Sequence, residues 1–239
     1  MRTLGILGGL GPMATAYFLQ LLTQMSDART DQEHMEILLY SKPSIPDRTD
    51  YITGKSEISP VEDMVMAGKK LREMGADILA IPCITAHFFH QELERRIGFP
   101  IIHAIEETAF YLEEEKVSRA GILATDGTIQ SGLFQKALKQ RGICPMIPDA
   151  ESQKGIMEII YQEIKAGKEV NMPLFYQIAE NLFDQGAEVI LLACTELSLI
   201  KRDHSLPAGC LDVMEVLARK AVQSCNRVRE EYARLIVRG

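Results

Sequence analysis

The chain repeats itself. GADILAIPCITA begins at Gly75 and GAEVILLACTEL begins at Gly186, and the register holds without a gap through Cys83 and Cys194, so both pairs stand 111 residues apart. Each copy places Gly-Ala-acid ahead of an apolar run of strand length and sets a cysteine at its carboxyl end. A second echo links GILGG at Gly5 with GILAT at Gly121. A duplication on this scale in 239 residues points to two similar α/β halves, each with a strand that opens into a loop.

The rest of the chain keeps the same rhythm. Residues 2–8 read as a buried parallel strand, and Pro12 opens a helix, since a first-turn proline forfeits no hydrogen bond. Helical apolar spacing runs from Met13 to about Ala28, and a second strand covers 35–40. A polar loop with Pro43, Pro46, Asp47, Arg48 and Thr49 extends to Pro60, followed by a helix over Val61–Met74 and a strand over Asp77–Ile81. Short apolar strands alternating with helices predict an α/β fold of two pseudo-symmetric parallel-sheet halves. The chain is expected to cross between them near Pro100–Ala104 and Lys201–Pro207. That gives a first half of 1–102 plus 207–239 and a second half of 103–206, with a last helix over Met214–Val237 returning to pack on the first half.

Several function classes fall away. The formal charge of −7 gives no general basic field for nucleic acid. There is no apolar run of about 20 residues to span a bilayer, and no secretory n-region with an h-region. The five cysteines are odd in number and lack compact spacing, which predicts reduced thiols in a cytoplasmic protein. Gly5, Gly8, Gly9 and Gly11 miss the dinucleotide spacing, and Tyr40-Ser41-Lys42 follows the second strand where a ribose-binding acid belongs. His87 and His90 have no fourth ligand to join with Cys83 in a metal site, and are read as helix-start and surface residues. Cys144, Cys210 and Cys225 are read as packing residues.

Cys83 and Cys194 are different. In open α/β sheets ligands bind beyond the carboxyl ends of strands, and both thiols sit there. Each precedes residues able to open a helix, whose amino terminus would lower a thiol pKa. Two facing thiols suit racemisation, which takes a proton from one face of Cα and returns one to the other. Sulfurs that each approach Cα would lie on the order of 7 Å apart, too far for a disulfide.

The chain resembles the pyridoxal-phosphate-independent aspartate/glutamate racemase superfamily. The resemblance spans nearly the whole length: GILGGLGPMAT at the start, PDRT at 46–49, PCITAH at 82–87, GILATDGT at 121–128, EIKAGK at 163–168 and ACTEL at 193–197. It implies an active site in the cleft between the halves, no cofactor, an amino acid or related carboxylic acid as substrate, and a homodimer. It assigns the catalytic acid/base roles to Cys83 and Cys194, and acidic side-chain recognition to Arg48 and Lys165. Backbone N–H groups at the turns containing Gly9, Gly11, Thr125, Gly127 and Thr128 are expected to hold the α-carboxylate, with Thr85, Thr195 and Glu196 also in the substrate site. One position departs from the family pattern: Ile84 stands where members carry Asn, and it offers no hydrogen bond to an amino-acid head group. Aspartate or glutamate racemisation leads. The alternatives are a hydantoin racemase, a maleate isomerase or a decarboxylase on the same scaffold, and an amino-acid-binding protein without catalysis.

Overall fold

Residues 2–238 are described by a computed structural model. The first half runs β1 (Leu4–Gly8), α1 (Pro12–Met25), β2 (Ile37–Ser41), α2 (Arg48–Ile52), α3 (Val61–Glu73), β3 (Ile78–Ala80), α4 (His90–Ile97) and α5 (Ala104–Glu114). The second runs β4 (Arg119–Leu123), α6 (Asp126–Ser131), α7 (Leu133–Gln140), β5 (Cys144–Met146), α8 (Ala150–Glu158), α9 (Met172–Asp184), β6 (Val189–Leu192), α10 (Leu197–Asp203), β7 (Cys210–Asp212) and α11 (Val213–Cys225).

The first sheet has the order β2-β1-β3 and the second β5-β4-β6-β7, all parallel. A parallel bridge from Leu79 to Ile101 extends the first sheet at the position that β7 holds in the second, so the two orders match. β1 and β6 are buried along their whole length, as strands covered by helices on both faces must be. Both expected boundaries shift: α5 follows the Leu79–Ile101 bridge of the first sheet and carries the first half past residue 103, and Cys210–Asp212 of β7 pairs with β6, so the second half keeps the chain beyond residue 207.

Two private cores and one shared core hold the molecule together. Met64, Leu71, Leu79 and Leu93 centre the first; Ile156, Phe175, Ile178 and Ile190 centre the second. The shared core joins Phe18 and Leu22 of α1, Leu112 of α5, Phe134 of α7 and Leu217 of α11. Here α11 packs on α1 and α5, and α5 on α7, so each half's last helix reaches the other half. This arrangement turns the carboxyl ends of β3 and β6 towards one another.

Two local outcomes differ from the sequence expectation. The 43–60 loop contains a helical turn, α2, because the Asp47 carboxylate accepts from the Asp50 N–H at 3.0 Å and caps it. The last helix stops at Cys225 instead of Val237. Asn226 is extended and its amide donates to the Glu33 carbonyl at 2.9 Å. The following tail then pairs with Ser26 through Val228 and with Cys210 through Val237. These tertiary backbone bonds outcompete helix continuation.

Candidate active site

β3 and β6 deliver the two thiols. Cys83 is extended and precedes a turn of 3-10 helix over Ile84–Phe89; Cys194 follows β6, three residues before the first residue of α10. Both are buried and both line one enclosed chamber, together with Ile84, Thr85, Thr125, Thr195 and Glu196. Its free volume of about 10 Å³ is room for a single water. Outside it lies a vestibule of about 380 Å³, walled by Gly9, Gly11, Met13, Ile45, Ile164 and Leu199. Leu10, Asp47, Arg48, Lys165 and Glu196 line both spaces and form the neck between them.

The surroundings of the two thiols are electrostatically unlike. The Arg48 guanidinium is buried and interacts with Cys83. Burial works against its charge, but Cys83 and then Asp47 outweigh that and raise its pKa. Arg48 is fixed by backbone carbonyls: Nη1 donates to Pro46 at 3.0 Å and Ile45 at 3.3 Å, and Nη2 to Leu10 at 2.9 Å. Cys194 instead donates from Sγ to Glu196 Oε2 at 3.0 Å. Burial first, and Glu196 second, push its thiol well above the ordinary range. The helix-start expectation of a lowered pKa therefore fails at Cys194, where desolvation and a neighbouring carboxylate dominate.

Across the cleft, three hydroxyls converge. Thr85 of the first half lies 2.9 Å from Thr125 and 3.0 Å from Thr128 of the second. Thr125 also caps α6, its hydroxyl accepting from the Thr128 N–H at 3.3 Å. Gly127 lines neither space but lets the halves touch: a Cβ there would lie 2.9 Å from Thr49 Cα. Gly9 holds a positive φ of 89°, and a Cβ on it would meet the Lys42 backbone.

Lys165 ends a π-helical turn over Ile159–Ile164, a distortion common at functional sites. Its Nζ is 3.7 Å from Asp47 Oδ2, 4.0 Å from Glu196 Oε1 and 4.2 Å above the Tyr161 ring. Tyr161 donates to both Asp47 oxygens, at 3.3 and 3.2 Å. Burial opposes the Asp47 charge, but the Asp50 N–H, Lys165 and Arg48 hold the carboxyl below its usual range. Asp47 was visible in the sequence only as part of the 46–49 match, and Tyr161 carried no signal, since its partner is 114 residues away.

His87 and His90 are buried, not surface residues; their rings lie 5.3 and 4.2 Å from the His103 ring and 6.0 Å from each other. Among the described residues, no group of His, Cys, Asp and Glu is arranged to hold a metal ion. All five cysteines are free; Cys210 and Cys225 are buried, but Cys144 is exposed on edge strand β5 instead of packing in a core. No helix among the described residues is long and apolar enough to cross a membrane.

The model of the Asp/Glu/hydantoin racemase family matches residues 7–221. The broad-specificity amino-acid racemase RacX of Bacillus subtilis is 26% identical over 225 residues, which cover 92% of this chain and 97% of RacX. The Picrophilus torridus aspartate racemase structure superposes with a TM-score of 0.82 at 30% identity, covering 97% of this chain and 98% of that one. Glutamate racemase from Francisella tularensis, solved with D-glutamate, shares the fold at a TM-score of 0.66 and 14% identity, covering 93% and 80%. With a family match over most of its length, the chain belongs to the Asp/Glu/hydantoin racemase family.

Proposed function

We propose that this protein racemises a free α-amino acid without a cofactor, moving the α-proton between Cys83 and Cys194, with aspartate and glutamate the first substrates to test. The observation that carries the reading is that the two repeat-related thiols line one closed chamber with unlike electrostatic partners. A substrate Cα between them would meet Cys83, with the Arg48 guanidinium in the same chamber wall, and Cys194, whose thiol burial and Glu196 push up. The first removes a proton from one face and the second supplies one to the other. The Thr85 and Thr125 hydroxyls, which line the chamber, would take the α-carboxylate, where negative charge grows as Cα loses its proton, with Thr128, which lines neither space, bonded behind them. Arg48 and Lys165 at the neck supply positive charge for a side-chain carboxylate, in keeping with the aspartate racemase similarity. The homodimer implied by the resemblance is proposed with it and is read by light scattering.

The test is α-proton exchange in heavy water across a panel of free amino acids, followed by NMR, with chiral analysis of the products. Wild type should exchange and invert at least one panel member. Cys83→Ser and Cys194→Ser should each abolish inversion, while one-face exchange can persist. Inversion by either variant overturns the two-thiol mechanism; binding without exchange would identify an amino-acid-binding protein.

A further inference from the structure

A two-thiol racemase does not end a turnover in the form in which it began. If Cys83 takes the proton and Cys194 gives one, the product leaves behind a Cys83 thiol and a Cys194 thiolate. Another turnover in the same direction requires one proton to leave Cys83 and one to reach Cys194. Cys194 is buried in a chamber with room for one water, so it needs a route to solvent.

Glu196 lies on that route. Oε2 accepts from Cys194 Sγ at 3.0 Å and from Thr195 Oγ1 at 3.3 Å. Oε1 is the oxygen towards Lys165, at 4.0 Å, and lies 3.0 Å from where a Cβ on Gly11 would stand. Gly11 and Lys165 both line the vestibule, and Glu196 lines vestibule and chamber alike. One carboxylate thus spans the wall between solvent and the sulfur. The polar side chain fixed beside Cys83 is Arg48, a permanent cation that cannot relay a proton.

We propose that Glu196 is a catalytic residue of the free enzyme: it carries the proton that resets Cys194 between turnovers. In the reset, a vestibule water chain delivers a proton to the Glu196 carboxylate. The resulting acid transfers a proton from Oε2 to the Cys194 thiolate, and the carboxylate is regenerated. Cys83 releases its proton to water admitted as product leaves, so the net change is one proton moved from Cys83 to Cys194, with total charge unchanged. In the opposite direction the same steps run backwards. This rests on the two-thiol reading above.

Glu196→Gln keeps an acceptor for the thiol and removes the relay. The probe is the panel amino acid that wild type exchanges fastest, each enantiomer in turn. The reset contributes to kcat but not to kcat/KM, which ends with the release of product. The variant should therefore lose about 10- to 100-fold in kcat with a fall in KM, and lose less in kcat/KM, which registers only the altered charge beside Cys194 in the chemical step. Product inhibition should change from competitive to noncompetitive, because product traps the form that has not reset. Added formate or acetate should restore kcat by delivering protons directly. Glu196→Asp, with a shorter carboxylate, should fall between the two, and serves alone if the Gln variant does not fold by circular dichroism. A fall in kcat/KM equal to that in kcat, with inhibition still competitive and no rescue, overturns the relay while leaving the two-thiol reading intact. No exchange by wild type on any panel member removes the reading and the relay together.

Discussion

Replacing Ile84 by Asn tests a position at which the resemblance implies Asn and this chain carries Ile. The side chain is 2% exposed and belongs to the shared core, yet it also forms part of the chamber wall. Asn there removes most of an isoleucine's burial, about 1.5–3 kcal/mol. If its amide turns into the core without a partner, another ~1–3 kcal/mol follows. With the amide on the chamber side, a loss of about 1.5–3 kcal/mol should lower Tm by roughly 3–12 °C in a chain of this size. On the chamber side the amide supplies a hydrogen bond that Ile84 cannot give to a charged head group. That is worth about 1.5–3 kcal/mol, a rise of roughly 10- to 150-fold in kcat/KM for a free amino acid. The assay pairs thermal melting with initial rates taken well below the variant's Tm. A lower Tm with a raised kcat/KM is the expected outcome. An unchanged Tm would refute the packing role, and unchanged kinetics on every amino acid of the panel would refute a head group facing this wall.

Three further outcomes follow from the geometry. Arg48→Lys keeps a charge but loses the fork to Leu10, Ile45 and Pro46. It should change the rate of iodoacetamide labelling of Cys83 by about tenfold, equivalent to about 1.4 kcal/mol, because both residues line the same chamber; unaltered labelling would show that the guanidinium does not govern the reactivity of Cys83. Gly127→Ala wedges a methyl between the halves, against Thr49 Cα. It should cost about tenfold or more in kcat/KM through misplaced catalytic groups, with unchanged far-UV circular dichroism, and full activity would show that the halves need not close this tightly. Asp212→Asn probes stability: burial, and then Glu215, push the Asp212 carboxyl up to about 7. A raised carboxyl pKa means that the folded state binds more protons than the unfolded one, so this contribution is complete at low pH and is lost as pH rises through 7. The Asn variant should gain on wild type by on the order of 1–4 kcal/mol between pH 4 and pH 8; a pH-independent difference in melting would rule out a buried ionisation.

Much of this architecture was legible in the sequence because its signals are local. A buried parallel strand is a short apolar run, Pro12 marks a helix start, and the 111-residue offset between the cysteines exposes the duplication in the order of residues alone. Those features fix two α/β halves and put a thiol at each strand end. What they leave open depends on contacts between distant residues. β7 joins the second sheet because Cys210–Asp212 finds β6, and the last helix ends at Cys225 because the tail bonds to Met25, Ser26 and Cys210. The histidines at 87 and 90 go inside because residue 103 and the strand-end carbonyls receive them. The character of the site is decided in the same way. Position in the chain makes the two cysteines equivalent, but a cation from the 46–49 loop settles beside Cys83 and the Glu196 carboxylate beside Cys194. Coulombic fields and desolvation act through space, so only the tertiary structure could make one thiol unlike the other.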